Sequence, residues 1–251
     1  MQKEQAILQK RFIELSKIAY QREIVTYSDF LNLNELNILH TMPRQDFHTG
    51  YETFGGYEFS ERQMVAFLPD ALCYDKHYPI SILKIEPMQQ KFAETLSHRD
   101  YLGAIINLGI DRSKLGDILV EEKYAILFIH SSLKEFIIEE LHRIRHTNIQ
   151  IRELEDADFW YQPKTKEIKG TVSSLRLDCL LSLAFNESRS KLVPLIEGGK
   201  VFVNGKLITS NGYQIKAADV ISVRGYGRFR YKETISVTKK DRLYIAIELY
   251  V

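Results

Sequence analysis

Apolar residues at Ile7, Leu8, Phe12, Leu15, Ile18 and Ala19 recur every three or four positions, which predicts an amphipathic helix over residues 2–22. Asn32 or Asn34 is placed to cap a second short helix through Leu36 to Leu39, ended by Pro43. The period then shortens. "FHTGYETFGGYEF" sets Gly55-Gly56 between aromatic-rich flanks, a hairpin signal, and "MVAFLPD" reads as a buried strand. These elements predict a small α/β domain over residues 1–79, and nothing in it resembles catalytic chemistry.

Residues 80–160 carry a clearer alternation of periods. "ISILKIEP" reads as a strand, and "SHRDYLGAIINLG" as a helix begun near Ser97 and stopped at Gly109. "GDILVEE" and "YAILFIH" are strand-like, with a charged turn at Glu121 to Lys123. "SSLKEFIIEELHRIRH" is expected as one helix, capped by Ser131 or Ser132, with Phe136, Ile137, Leu141 and Ile144 on its apolar side. "IQIREL" closes the unit. The order β-α-β-β-α-β is that of a ferredoxin-like domain, an arrangement shared with RNA-recognition domains. The usual signature of Lys/Arg-Gly followed by alternating aromatics is absent, leaving Tyr124 and Phe128 as the candidate stacking platform on one face of a strand. "DADFWYQPKTKEIKG" has charge, Pro163 and Gly170 but no period, so a linker is placed at residues 161–172.

The last pattern is two short helices followed by small strands. "VSSLRLDCLLSLAF" has Ser173 and Ser174 as candidate caps, with Leu177, Leu180, Leu181 and Ala184 on one face and Arg176 in the first turn, off that face. The next helix starts at Asn186 or Ser188, buries Leu192, Leu195 and Ile196, and stops at Gly198-Gly199. "KVFVNGKLIT" is a strand, an Asn-Gly turn and a second strand, and "DVISVRGYGRF" adds a third. The fold class is therefore α+β, with this module at residues 173–232 and a β extension at residues 233–251, either a terminal hairpin on the module or an element packed on the middle domain.

Charge sharpens the functional reading. The whole chain of 251 residues carries a net +1, yet residues 164–232 hold 13 Lys and Arg against 5 Asp and Glu, a balance of +8, which leaves the remainder at −7. A basic module on an acidic body is the pattern of a nucleic-acid reader whose body must not stick to every polyanion. At 45% hydrophobic and 27% charged residues the chain is expected to be globular, and it has no apolar run of membrane-spanning length and no signal peptide, so a cytoplasmic protein is expected. Cys73 and Cys179 lie far apart and read as packed thiols. No cofactor and no metal are expected: His142 and His146 fall one helical repeat apart without a third ligand beside them.

The spaced elements Arg176-Leu177-Asp178, Ser188-Arg189, "LIEGGKVFVNG" and Asp219 to Val223 closely resemble the ribosomal-protein-S-four type RNA-binding domain over about residues 173–230. The resemblance implies that Arg176, Ser188, Arg189, Lys191, Lys200, Asn204, Gly205 and Lys206 contact RNA. Arg224 and Arg228 join them on the third strand, and Asp178 reads as a structural anion paired with a nearby base. Upstream, His98-Arg99-Asp100, Leu102-Gly103, Gly109-Ile110, Arg112 and Gly116-Asp117-Ile118 resemble the bacterial YlmH family. That likeness implies a non-enzymatic, monomeric partner of ribosomal RNA and tRNA, bound to the large ribosomal subunit carrying peptidyl-tRNA in the quality control of stalled nascent chains, without membrane contact. An RNA-modifying enzyme of the pseudouridine synthase kind is the competing reading. Its catalytic Asp would need an Arg-Leu-Asp motif in a separate domain, and the one such triplet here lies inside the binding module. A cell-division-associated adaptor anchored by Phe159, Trp160 and Tyr161 is a further alternative. "HRD" lacks the Asp-Phe-Gly and Gly-rich loop that a protein kinase requires.

Overall fold

The computed structural model describes residues 2–69, 76–155, 159 and 161–250, which form two compact units, Met1–Tyr161 and Gln162–Val251. Cys73 and Trp160 lie outside the described residues.

The first unit begins with α1 (Gln2–Arg22), β1 (Thr26–Tyr27) and α2 (Leu33–Thr41). Asn32 caps α2: its side chain accepts from the amides of Asn34 and Glu35, and the Glu35 carboxylate returns a bond to the Asn32 amide. β2 (Gly50–Phe54) and β3 (Met64–Leu68) pair antiparallel, with β1 on the other side of β3. Phe12, Leu15 and Ala19 of α1 bury against Val65 and Phe67 of β3 and Leu36 and Leu39 of α2.

β4 (Ile80–Pro87), α3 (His98–Asn107), β5 (Leu115–Val120), β6 (Ala125–His130), α4 (Lys134–Glu140), β7 (Arg143–Ile144) and β8 (Thr147–Leu154) follow. The sheet order β5-β6-β4-β8-β7, antiparallel throughout, is the ferredoxin-like arrangement with β7 added at one edge. α4 is shorter than its apolar spacing suggests. It ends at Glu140, and the expected last turn becomes the β7–β8 hairpin, in which Leu141, Ile144 and Thr147 are buried while His142, Arg143, Arg145 and His146 are exposed. Leu141 and Ile144, three apart, fit a helical stripe equally well, and tertiary pairing decided between the two. His142 and His146 are accordingly not on one helical face, and among the described residues no group of three or more potential ligands could hold a metal.

Alternation along β4 and β6 gives the sheet two apolar faces. Leu83, Ile85, Leu127 and Ile129 pack with Tyr101 and Ile105 of α3 and Ile137 of α4. Ile82, Ile126 and Phe128 face the other way and are covered by Phe30, Met64, Tyr57 and Phe159. Phe128 is fully buried, with the Tyr57 ring stacked at 4.9 Å and Phe159 edge-on at 5.2 Å. The Tyr124–Phe128 stacking platform is thus corrected: residues from the start of the chain already occupy that face, and Tyr124 instead carries the Lys84 ammonium over its ring at 4.8 Å.

Polar groups reinforce the same junction. Arg62 donates to the carbonyls of Leu115, Phe30 and Arg112 at 2.7 to 3.0 Å, and the Asp117 carboxylate accepts from Tyr57 Oη, the Glu61 amide and the Arg62 amide. Burial, then the neighbouring Arg62 charge, pulls Arg112 down to about 10. A Cβ on Gly116 would sit 2.7 Å from Phe30 Cε1 and 2.9 Å from Phe128 Cβ, so only glycine allows the close approach.

The second unit contains β9 (Thr165–Val172), α5 (Leu177–Phe185), α6 (Arg189–Glu197), β10 (Val201–Val203), β11 (Lys206–Leu207), β12 (Val220–Val223), β13 (Gly227–Val237) and β14 (Leu243–Tyr250). Its six strands run in the order β11-β10-β12-β13-β14-β9. Residues 165–172, expected as linker, are therefore the edge strand β9, paired along its length with β14. Leu177, Leu180, Leu181 and Ala184 of α5 and Leu192 and Ile196 of α6 share a core with Val201, Val203, Ile221, Val223, Phe229, Ile245 and Ile247.

Candidate nucleic-acid interface

The start of α5 is set by a carboxylate buried among arginines. Arg176 occupies the N-cap position with extended backbone (φ −75°, ψ 145°). Ser173 and Ser174, the expected caps, instead place their hydroxyls 3.5 and 3.9 Å from Cys179 Sγ. The Arg176 guanidinium turns back in a fork onto Asp178, Nε to Oδ1 and Nη2 to Oδ2 both at 3.1 Å. Arg189, the first residue of α6, donates to the same Oδ2. The Asp178 side chain is 2% exposed, whereas those of Arg176 and Arg189 are 42% and 50% exposed. Burial alone would raise the Asp178 pKa, and the hydrogen bonds and charges of the two arginines more than offset it, holding the carboxyl below its ordinary value. Hydrogen bonding to Asp178 raises Arg176 in turn. One buried anion thus fixes two guanidinium groups, and both keep an open side toward solvent.

The sequence explains why the two helices meet there. Asn186 ends α5 in the left-handed conformation (φ 51°), a position that tolerates asparagine well, and Ser188 caps α6 two residues later, so the chain reverses within three residues. Ser188 makes no side-chain cap bond; its hydroxyl pairs with Ser190 at 3.0 Å. Lys191 is committed to Glu187 one turn back, which raises its pKa. At the other end of α6 Gly199 takes φ +69°, and the Lys200 amide reaches the Leu195 carbonyl at 2.9 Å, closing the helix.

Lys200 and Arg224 lie together at the far end of α6, their backbones joined by the Arg224 amide on the Lys200 carbonyl at 3.0 Å. With nine residues in α6 and a rise of about 1.5 Å each, they stand about 13 Å or more from Arg189. The Arg224 guanidinium sits over the Phe202 ring at 5.6 Å, and that of Arg228 over Tyr250 at 4.7 Å. Asn204 and Gly205 turn β10 into β11 with φ of 49° and 78°, a two-residue turn that presents the exposed Lys206. The Asn204 side chain is spent on the fold: Nδ2 donates to Asp219 at 2.8 Å and Oδ1 accepts from the Val220 amide at 2.9 Å. Gly205 has open space where a Cβ would project, so its positive φ, not crowding, requires glycine.

The expected cations therefore form separate groups: Arg176 and Arg189 at the helix starts, Lys200 and Arg224 at the end of α6, Lys206 at the hairpin tip and Arg228 on β13. Beside Arg189 the structure adds residues that sequence reading passed over. A surface pocket of about 330 Å³ brings Arg189 together with Arg242, Ser173, Ser182 and Asn186, and Arg242 is oriented by donating to the Thr171 carbonyl at 3.2 Å. Arg242 approaches through the β14–β9 pairing: the β extension expected at residues 233–251 pairs within the second unit, and its partner strand β9 was expected as linker.

Comparison with known proteins agrees with this division. The family described as "Putative RNA-binding domain in YlmH" matches residues 74–158, and the S4 domain matches residues 175–221. The "Ribosome-associated protein quality control protein P2" of Bacillus subtilis (strain 168) is 27% identical over 240 residues, covering 94% of this chain and 91% of that protein. The "Small ribosomal subunit protein uS4" of Lachnoclostridium phytofermentans is 31% identical over 117 residues, covering 38% of this chain and 59% of the relative. Among solved structures, the "Cell division protein ylmH from Streptococcus pneumoniae" aligns with a TM-score of 0.50 and 25% identity over 61% of this chain and 93% of that chain. The buried-anion arginine pair and the Asn-Gly hairpin fall inside the S4 match, and the ferredoxin-like sheet fills the other; the chain carries a YlmH-type RNA-binding domain followed by an S4 domain.

Proposed function

We propose that this protein binds structured RNA of the large ribosomal subunit together with peptidyl-tRNA, as a non-enzymatic cytoplasmic factor in the quality control of stalled nascent chains. The observation that carries the reading is the Arg176–Asp178–Arg189 arrangement, because it holds two guanidinium groups half-exposed at a fixed spacing on one buried carboxylate. Phosphate is the natural guest for such forks, since each guanidinium can offer paired N–H donors and neutralising phosphates releases condensed counterions. Lys200, Lys206, Arg224 and Arg228 extend the cationic surface along the same unit, acting as a monomer. Support for the ribosomal setting comes from the quality-control relative, alignable over nearly its whole length.

The test is co-sedimentation of the purified full chain with large ribosomal subunits carrying or lacking peptidyl-tRNA, across a salt series. Binding should fall steeply with salt, and Arg189→Glu with Lys206→Glu should reduce the slope by about 1.4 to 1.8, taking 0.7 to 0.9 per phosphate contact. Unchanged affinity and slope in a folded double variant refute the reading. A mass change in the bound RNA would instead favour the modifying-enzyme alternative.

A further inference from the structure

We propose that the ferredoxin-like domain contacts the RNA backbone through the cleft between α3 and the β7–β8 hairpin, and not through its sheet. This inference rests on the RNA-binding reading above. The sheet face that carries Phe128 is closed by Phe30, Met64 and Tyr57. The opposite side of the domain holds an open cleft of about 570 Å³, lined by Arg99 and Gly103 of α3 and by Glu140, His142, Arg143 and Arg145.

Most of the residues singled out in this stretch of sequence have a task within the fold. Asp100 caps α3, accepting from the Ser97 amide and hydroxyl at 2.8 and 2.6 Å; Arg112 donates to the carbonyls of Leu115 and Gly116; Asp117 and Gly116 hold the junction with the first segment. Arg99 and Gly103 have none. Arg99 is exposed and makes no hydrogen bond or ion pair among the described residues. Gly103 lies inside α3, where glycine is unfavourable relative to alanine, yet a Cβ there would meet nothing within 4 Å. Neither packing nor backbone conformation calls for glycine at this position. A bare backbone facing an open cleft suits the close approach of a second chain.

The hairpin carries an independent anomaly. Arg145 stands at the β7–β8 turn with φ +52°, a region sparsely populated by residues other than glycine, asparagine and aspartate. The turn so places an exposed arginine beside Arg143, whose Nη2 lies 3.5 Å from His146 Nδ1. Arg145 reaches Asp100 at 3.5 Å and Glu94 at 4.0 Å across the cleft mouth. Three arginines thus face two lining carboxylates, of which Asp100 is engaged by the helix cap and Arg145. Glu140 remains as an acceptor at the rim. Guanidinium forks for phosphate, with a carboxylate able to accept from a ribose 2′-hydroxyl, fit an RNA backbone better than a uniformly anionic surface.

The experiment uses the full chain and deproteinised large-subunit ribosomal RNA in filter binding over a salt series. Arg99→Ala with Arg143→Ala should weaken binding about tenfold and lower the salt slope by about 1.4 to 1.8. Gly103→Ala should weaken binding severalfold while leaving the thermal midpoint unchanged or raised, a combination that a merely structural glycine would not produce. Arg189→Glu in the S4 domain serves as the reference. If it alone weakens binding and both cleft variants behave as the parent protein, the cleft is not a contact and the proposed function stands. If none of the three changes affinity, the RNA reading fails and the cleft proposal falls with it.

Discussion

Replacing Asp178 with asparagine should loosen the second unit at neutral pH, and by an amount the geometry bounds. Three N–H donors end on this carboxylate, two from Arg176 and one from Arg189. A hydrogen bond to a charged group contributes about 1.5 to 3 kcal/mol, but both arginines are close to half exposed, so water recovers much of what they lose. Asparagine keeps the shape and one acceptor while offering an N–H to a guanidinium that has only donors. A net loss of about 2 kcal/mol follows. The pH dependence has a definite sign: because the folded pKa lies below the ordinary aspartate value, the carboxylate's contribution is present above about pH 3.9 and is lost as pH falls through the folded value. Hydrogen-exchange protection of residues 177–197 provides a local readout, and 2 kcal/mol corresponds to about a 30-fold loss of protection. The parent protein should lose protection toward the variant's level as the pH drops below 4, and the variant should show a flatter profile. Equal protection at pH 7, or the same acid profile in both proteins, would refute the claim that Asp178 is ionised and anchors the pair.

Gly116→Ala should lower the thermal midpoint of the first unit through a loss of about 1 to 3 kcal/mol, because its Cβ would meet Phe30 Cε1 at 2.7 Å and Phe128 Cβ at 2.9 Å; an unchanged midpoint would show that the junction yields freely. Asn204→Ala should cost about 1 to 2 kcal/mol in urea denaturation of the second unit, losing the bonds to Asp219 and Val220 and straining φ at 49°. Asn204→Gly, which relieves the backbone but not the lost bonds, should fall between the two proteins, and equality with Asn204→Ala would remove the backbone from the account.

Where signals were local, the sequence was readable. The Asn204-Gly205 turn, the Gly198-Gly199 stop and the Asn32 cap each rest on a residue whose own conformational preference matches its place. The β-α-β-β-α-β order was readable for the same reason, as each element carries its own period. Residues 165–172 were not, because β9 is an edge strand rich in Thr, Lys and Glu whose partner lies some 80 residues on, and its exposed face shows no apolar alternation. The end of α4 was misjudged because Leu141 and Ile144 suit both periods. Of the site, the cationic residue types and Asp178 as a paired structural anion were visible, but the joining of Arg176 and Arg189 on that one carboxylate was not, nor were the pocket with Arg242 and the occupied face of Phe128, which depend on contacts between separate elements.

The strand that opens the second unit and the strand that closes it are hydrogen-bonded neighbours. During synthesis β9 emerges early and must wait, edge unpaired, until residues 243–250 have left the ribosome. A nascent copy interrupted before that point would own both helices and the Asn-Gly turn yet lack the closing seam, so grip on polyanions should mature only once β14 has paired with β9. Excision along the bounds of the S4 match would go further and remove β9, β13 and β14 together, exposing sheet edges that invite self-association.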